Sequence, residues 1–110
     1  MCGICGVLHF GSETSLAGTA RVMANTLHHR GPDHVGIWAD PEAGVAMGHK
    51  RLSIIDLSPA GAQPMISPCR RYVIAFNGEI YNHLALRKDL ETIGAAPSWR
   101  GTSDTETLLA

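Results

Sequence analysis

The sequence predicts an α+β fold in one small domain, and three observations predict it. Apolar or alternating runs at residues 3–10, 35–39, 45–55 and 70–76 have the length and period of β-strands. Two other stretches, 16–27 and 83–93, repeat their apolar residues at helical spacing. A capping box at Ser103 and Glu106 announces a third helix.

The elements follow from local chemistry, taken in order. Residues 3–10 read as a buried strand, broken by Gly11–Thr14, after which Ser15 is placed to cap the first helix. Leu16, Ala20, Met23 and Leu27 fall on one helical face, and Gly31-Pro32 should stop that helix near His28-His29. Val35–Ala39 reads as a second strand, turning at 40–44 into the longest strand, Val45–Ile55. Alternation there sets Val45, Met47, His49, Arg51 and Ser53 on one face, and Ala46, Gly48, Lys50, Leu52 and Ile54 on the other. Polar groups on such a face suit a strand whose far end enters a site. Residues 57–68 carry Pro59, Gly61, Pro64 and Pro68 and are expected to be loop, of a length often tied to function. The strand 70–76 ends in Asn77-Gly78, a pair that often makes a tight hairpin turn. Helix 83–93 presents Leu86, Leu90 and Ile93, with Gly94 as its stop. A short strand is expected around 98–101 before the helix capped by Ser103. Only Thr107–Ala110 follow that capping box, so the chain reads as cut, its last helix too short to hold itself and Asp104 mobile at its cap.

Composition narrows the function classes. Net charge is −1 with no block of like charges, which gives no electrostatic case for nucleic acid or an anionic membrane. No apolar run approaches the ~18 residues that span a bilayer. Three cysteines without a secretory signal pattern point to a reducing, cytoplasmic setting.

The chemistry gathers at the ends of the predicted elements. Removal of Met1 would leave Cys2 with its thiol and a free α-amine on one residue. Thiols and α-amines titrate within about one pH unit of each other. The amine could therefore carry protons to and from the sulfur, the logic of an N-terminal nucleophile. A Cys2–Cys5 redox pair, half a zinc site completed by His28, His29 and His34, or a plain core residue stand as alternatives. Arg51 offers a planar fork for a carboxylate. The Asn77 amide and the Gly78 N–H could hold an oxyanion, and Asp104 could accept from an ammonium. Singly, each has a structural explanation: a surface ion pair, a turn, a helix cap. Jointly they describe a site for an α-amino acid with an acyl side chain.

The stretches MCGICG at 1–6, HRGPD at 29–33, RLSIIDLS at 51–58, QPM at 63–65, FNGEIYNH at 76–83 and SDTE at 103–106 span the chain. In that order they resemble the glutaminase domain of glutamine-hydrolysing asparagine synthetases, class II glutamine amidotransferases with the N-terminal-nucleophile hydrolase fold. The resemblance implies an αββα sandwich, with residues 1–110 as a single partial domain lacking its C-terminal part and the synthetase domain. It implies that Cys2 attacks the glutamine carboxamide while Asn77 and Gly78 form the oxyanion hole. Arg51 would bind the α-carboxylate, Glu79 and Asp104 the α-ammonium, and the backbone of Leu52, Ser53, Ile54 and Ile55 would line the pocket. Cys5 would be a packing residue. The implied partners are L-glutamine, the synthetase domain and a homodimer mate, with no nucleic acid or membrane. No cofactor is implied for this chain; ATP and Mg belong to the missing domain. Lys50 stands where the family tends to have arginine, and Arg100 where it has serine. An inactive remnant or interaction module, and behind it a zinc-binding module, are the alternatives. Residues 1–110 alone are expected to be partly molten and inactive.

Overall fold

The computed structural model describes residues 1–9, 11, 15–54 and 56–110. Phe10, most of the expected break before Ser15, and Ile55 lie outside them. Strand β1 (Gly3–Leu8), helix α1 (Leu16–Asn25), β2 (His34–Asp40) and β3 (Val45–Arg51) form the first half. A short 3-10 turn (Pro59–Gly61), β4 (Met65–Ile66), β5 (Val73–Ile74), α2 (His83–Thr92) and α3 (Asp104–Leu109) form the second. Both sheets are antiparallel: β1-β3-β2, and the small β4-β5 pair. The chain is thus mixed α+β, as the period of its runs implied.

Helix α1 starts where expected, with the Ser15 hydroxyl accepting from Gly18 N–H at 3.2 Å. Its buried stripe is Leu16, Ala20 and Ala24, while Met23 is turned outward. The reason is closeness. Gly48 of β3 faces the helix, and a Cβ there would lie 3.1 Å from both the Ala20 carbonyl and the Ala24 methyl. Small residues on both sides let helix and sheet meet, and Ala46, Val7, Ile37 and Ala39 complete that core. The Cys5 thiol belongs to this layer, 3.5 Å from the Ala20 carbonyl, and burial raises its pKa. The helix ends at Asn25, earlier than expected, because Thr26–Arg30 continue as turns.

The second half departs further from expectation. The loop expected over 57–68 contains β4, and the strand expected over 70–76 shrinks to Val73–Ile74. Arg70, at φ 60°, sits in a turn closed by the Ser67 N–H on the Tyr72 carbonyl at 2.9 Å. No strand forms at 98–101, because Glu106 takes the N–H groups of Arg100 and Gly101 at 2.7 and 3.0 Å. Asn77-Gly78 closes no hairpin. Helix α2 ends as expected on Gly94 at φ 71°, with Ala95 N–H on the Leu90 carbonyl and Gly94 N–H on that of Glu91. Its expected apolar face is poorly covered, with Ile93 74% exposed.

Helix α3 is anchored despite its length. Asp104 through Thr107 are buried. Arg87 of α2 donates to Thr107 Oγ1, the Gly101 carbonyl and the Ser103 carbonyl, each at 2.8 Å, and stacks on Trp99. The Ser103 hydroxyl accepts from Glu106 N–H at 3.2 Å, so the capping residue is the predicted one. Asp104 is thus buried and hydrogen-bonded through tertiary contacts that helix length alone would not supply.

Candidate functional site

The two halves meet because Gly36 of β2 has no side chain. A Cβ there would overlap the Gln63 carbonyl, so the loop before β4 lies directly on the first sheet. A cavity of about 340 Å³ opens at this junction.

Cys2, just ahead of β1, stands at its wall. Its sulfur accepts from the Leu52 N–H at 3.3 Å and lies 3.6 Å from the Leu52 carbonyl. This joins the start of β1 to the segment leaving β3. The end of β3 is in turn held from below. Asp33 N–H donates to the Arg51 carbonyl at 3.0 Å, and its carboxylate accepts from Ser53 N–H at 2.8 Å. Gly31 permits that approach, since a Cβ there would overlap the Lys50 carbonyl.

Arg51 is 8% exposed and reaches the cavity. Its Nη1 donates to the Ser58 carbonyl at 2.8 Å and its Nη2 to the Asp56 carbonyl. A guanidinium has five N–H donors, so Arg51 keeps donors for a ligand. The Asp56 carboxylate organises the loop that holds it. Burial pushes its pKa up, but the Ser58 hydroxyl, the Thr102 and Ser58 N–H groups and the Arg51 charge together bring it below the usual value.

Asn77, Gly78 and Glu79 also line the cavity, as does Tyr81, 92% exposed. Gly78 is needed for space, because a Cβ would come within 2.7 Å of the Phe76 ring. Asp104 is buried and lines the cavity too. Its carboxylate accepts from Ile80 N–H at 2.8 Å and Thr105 N–H at 2.9 Å, a negative centre fixed by two backbone donors.

The structure thus brings Cys2, Arg51, Leu52, Ile54, Asn77, Gly78, Glu79 and Asp104 to one cavity. Ser53 is directed to Asp33 instead and does not line it. Ile55 lies outside the described residues. Among the described residues no group of three or more His, Cys, Asp or Glu could hold a metal ion. Cys2 and Cys5 are both free thiols, and no described helix is long and apolar enough to cross a membrane. Sequence reasoning missed Asp56, Gln63 and His49. Gln63 lines the cavity, and its place in the Gln-Pro pair amid a Pro-rich loop was the available signal. His49 is fully buried, its Nε2 3.3 Å from the Phe76 carbonyl; that oxygen can only accept, so Nε2 carries the proton. Burial lowers the His49 pKa, the bond to Phe76 raises it, and the Arg51 and His34 charges lower it further; the net direction is down.

A family model described as a glutamine amidotransferase domain matches residues 1–110. Asparagine synthetase B (glutamine-hydrolyzing) of Escherichia coli K12 is 41% identical over 111 residues, covering 100% of this chain and 19% of that protein. Asparagine synthetase (glutamine-hydrolyzing) 1 of Bacillus subtilis 168 is 42% identical over 116 residues, covering 100% of this chain and 17% of that protein. A probable asparagine synthetase of Dictyostelium discoideum is 38% identical over 110 residues, covering 99% and 19%. The chain spans about a fifth of the length of these relatives.

Proposed function

This chain belongs to the glutamine amidotransferase domain family, and from that premise we propose that it hydrolyses glutamine to glutamate and ammonia with Cys2 as an N-terminal nucleophile. The observation that carries the reading is the convergence of a thiol, a cation, an amide pair and a fixed carboxylate on one cavity from distant parts of the chain. Loss of Met1 frees the Cys2 α-amine and removes a side chain from the cavity wall. The amine takes the thiol proton as sulfur attacks the carboxamide carbon. The oxyanion that forms is held by the Asn77 amide and the Gly78 N–H, donors worth on the order of 10²–10³ in rate. The ammonium then gives its proton to the leaving nitrogen, releasing ammonia and leaving a γ-glutamyl thioester. Water, deprotonated by the same amine, attacks the thioester carbon; the C–S bond breaks, the ammonium returns its proton to the Cys2 sulfur, and glutamate leaves.

Arg51 binds the substrate α-carboxylate, and Glu79 and Asp104 its α-ammonium. The ammonia serves an ATP-dependent amidation of the asparagine-synthetase kind, on a synthetase domain that binds ATP and Mg. Residues 1–110 form part of an N-terminal-nucleophile αββα sandwich, with the face of β1 bearing Ile4 and Leu8 (42% and 63% exposed) turned away from α1.

A glutamine-analogue diazo-ketone tests the reading. It should label Cys2 ahead of Cys5 and Cys69, and Cys2→Ala should abolish glutamate release. Cys69 is the demanding control: it is exposed, and the Ser67 hydroxyl, with the Arg71 backbone, draws its pKa down. Equal labelling of Cys2 and Cys69 would show that no glutamine pocket selects the nucleophile. Intact mass should show Cys2 as the first residue of active material, and active protein retaining Met1 would rule out the amine as base.

A further inference from the structure

Phe76 immediately precedes the Asn77-Gly78 donor pair, yet it lies outside the β4–β5 ladder. Its peptide groups are held by side chains instead. Gln63 Oε1 accepts from Phe76 N–H at 2.6 Å, and His49 Nε2–H donates to the Phe76 carbonyl at 3.3 Å. The other end of the Gln63 amide points elsewhere: Nε2 donates to Thr105 Oγ1 at 3.1 Å. Thr105 N–H is one of the two donors that fix the Asp104 carboxylate. Gln63 is 8% exposed and Thr105 4% exposed, so neither bond is replaced by bulk water.

From this geometry we infer that Gln63 is a positioning residue for glutamine hydrolysis, its one amide setting the oxyanion donors through Phe76 and the ammonium-binding carboxylate through Thr105. The inference rests on the glutaminase reading above and deepens it. An amide suits the task because it accepts at one end and donates at the other. The two groups it ties share no strand or helix: Phe76 lies between β5 and α2, and Thr105 lies in α3. Displacements of about 1 Å at a reacting centre can cost on the order of 10²-fold in rate. The two links also differ in what they control. Asn77 and Gly78 act chiefly once the oxyanion forms, so their misplacement lowers kcat. Asp104 holds a remote charge in ground and transition states alike, so its misplacement raises KM.

The test measures glutamate release by the intact protein, normalised to active sites titrated with the diazo-ketone, so that unfolded molecules drop out of kcat. Gln63→Met, close in volume and without the amide, should lower kcat per site by roughly 10–100-fold and raise KM. Thr105→Val should raise KM by roughly 3–10-fold and leave kcat per site within about twofold. Thr105→Ser, which keeps the hydroxyl, should restore KM. Normal kcat per site in Gln63→Met, or a Thr105→Val that loses kcat as much as KM, overturns the inference. Should Gln63→Met fail to fold, the Thr105 pair decides alone, equal KM in Val and Ser variants overturning it. Hydrolysis that survives Cys2→Ala overturns the glutaminase reading itself, whereas Cys2-dependent hydrolysis with unaffected Gln63 and Thr105 variants overturns only the positioning role.

Discussion

Gly61→Ala should damage glutamine binding by displacing a side chain several residues away in sequence. A Cβ at Gly61 would overlap Arg51 Nη2 and lie 3.0 Å from Arg51 Cζ and 3.2 Å from Asp56 Cβ. Asp56 cannot retreat, since Ser58 and Thr102 hold its carboxylate at 2.5–2.8 Å. The guanidinium must move, and it is held by the carbonyls of Ser58 and Asp56. One hydrogen bond from a charged group is worth about 1.5–3 kcal/mol. If the displaced guanidinium loses one such bond to the substrate α-carboxylate, KM rises roughly 10–100-fold, at about 1.4 kcal/mol per decade. On the proposed binding mode the reacting carbon is remote from Arg51, so kcat should stay within about threefold. The assay is steady-state glutamate release, run beside thermal unfolding, with Gly61→Ala placed in both the native and the Arg51→Lys backgrounds. The effect should be smaller when Arg51 is already Lys, with a coupling above about 0.5 kcal/mol. An unchanged KM in folded Gly61→Ala, or the same increase in both backgrounds, would refute the reasoning.

Arg51→Lys should raise the glutamine KM far more than it lowers kcat, and Asn77→Ala should do the reverse; a reversed pair of effects would mean that the roles are wrongly assigned. Arg87→Met should lower the unfolding free energy by about 3–5 kcal/mol, because it removes three charged hydrogen bonds to Thr107, Gly101 and Ser103 and weakens the pairing of Glu106. Arg100→Met should cost at most about 1 kcal/mol, its side chain being 45% exposed, and chemical denaturation of the two variants checks the contrast. Stability should fall with acid in two stages. The folded pKa of His49 lies below its ordinary 6.5, so the unfolded chain binds that proton first, and stability is lost as pH drops below about 6.5. The folded pKa of Asp56 is also depressed, so its contribution is present above about 3.8 and disappears as pH falls from there through the folded value. Melting temperature against pH should show both stages, and a first stage that persists in His49→Asn would contradict the assignment.

The first half of the fold was legible because its signals are local. Ser15 caps a helix by its own chemistry, and the alternation over 45–51 is that of a real strand. The errors came where side chains compete for backbone groups. Residues 98–101 have no strand because one carboxylate, Glu106, takes two consecutive N–H donors from them. Phe76 leaves its strand because a glutamine and a histidine satisfy its peptide groups. Neither event leaves a period in the sequence. The Met23 error has a different origin: helical spacing fixes which residues share a face, but the rotation of that face was decided by Gly48 on another element.

The residues proposed to touch substrate were readable because reactive groups are rare at strand ends and recur in short motifs. Gln63, proposed to position them, was not, since its partners lie 13 and 42 residues away and nothing near it in sequence predicts either. One consequence joins the two sets. The segment from Arg51 to Gln63 returns to Arg51 through the carbonyls of Asp56 and Ser58, and reaches Phe76 and Thr105 through Gln63. On the proposed roles, the cation for one end of glutamine and the donors for the other are therefore tied to the same loop. Gly61 of the turn within it lies against the Arg51 guanidinium, and Gln63 two residues on bonds the N–H of Phe76, which precedes Asn77. A shift of this loop against the first sheet would change carboxylate binding and oxyanion stabilisation together. The loop lies against the first sheet at Gly36, where a Cβ would overlap the Gln63 carbonyl, so Gly36→Ala should disturb both together.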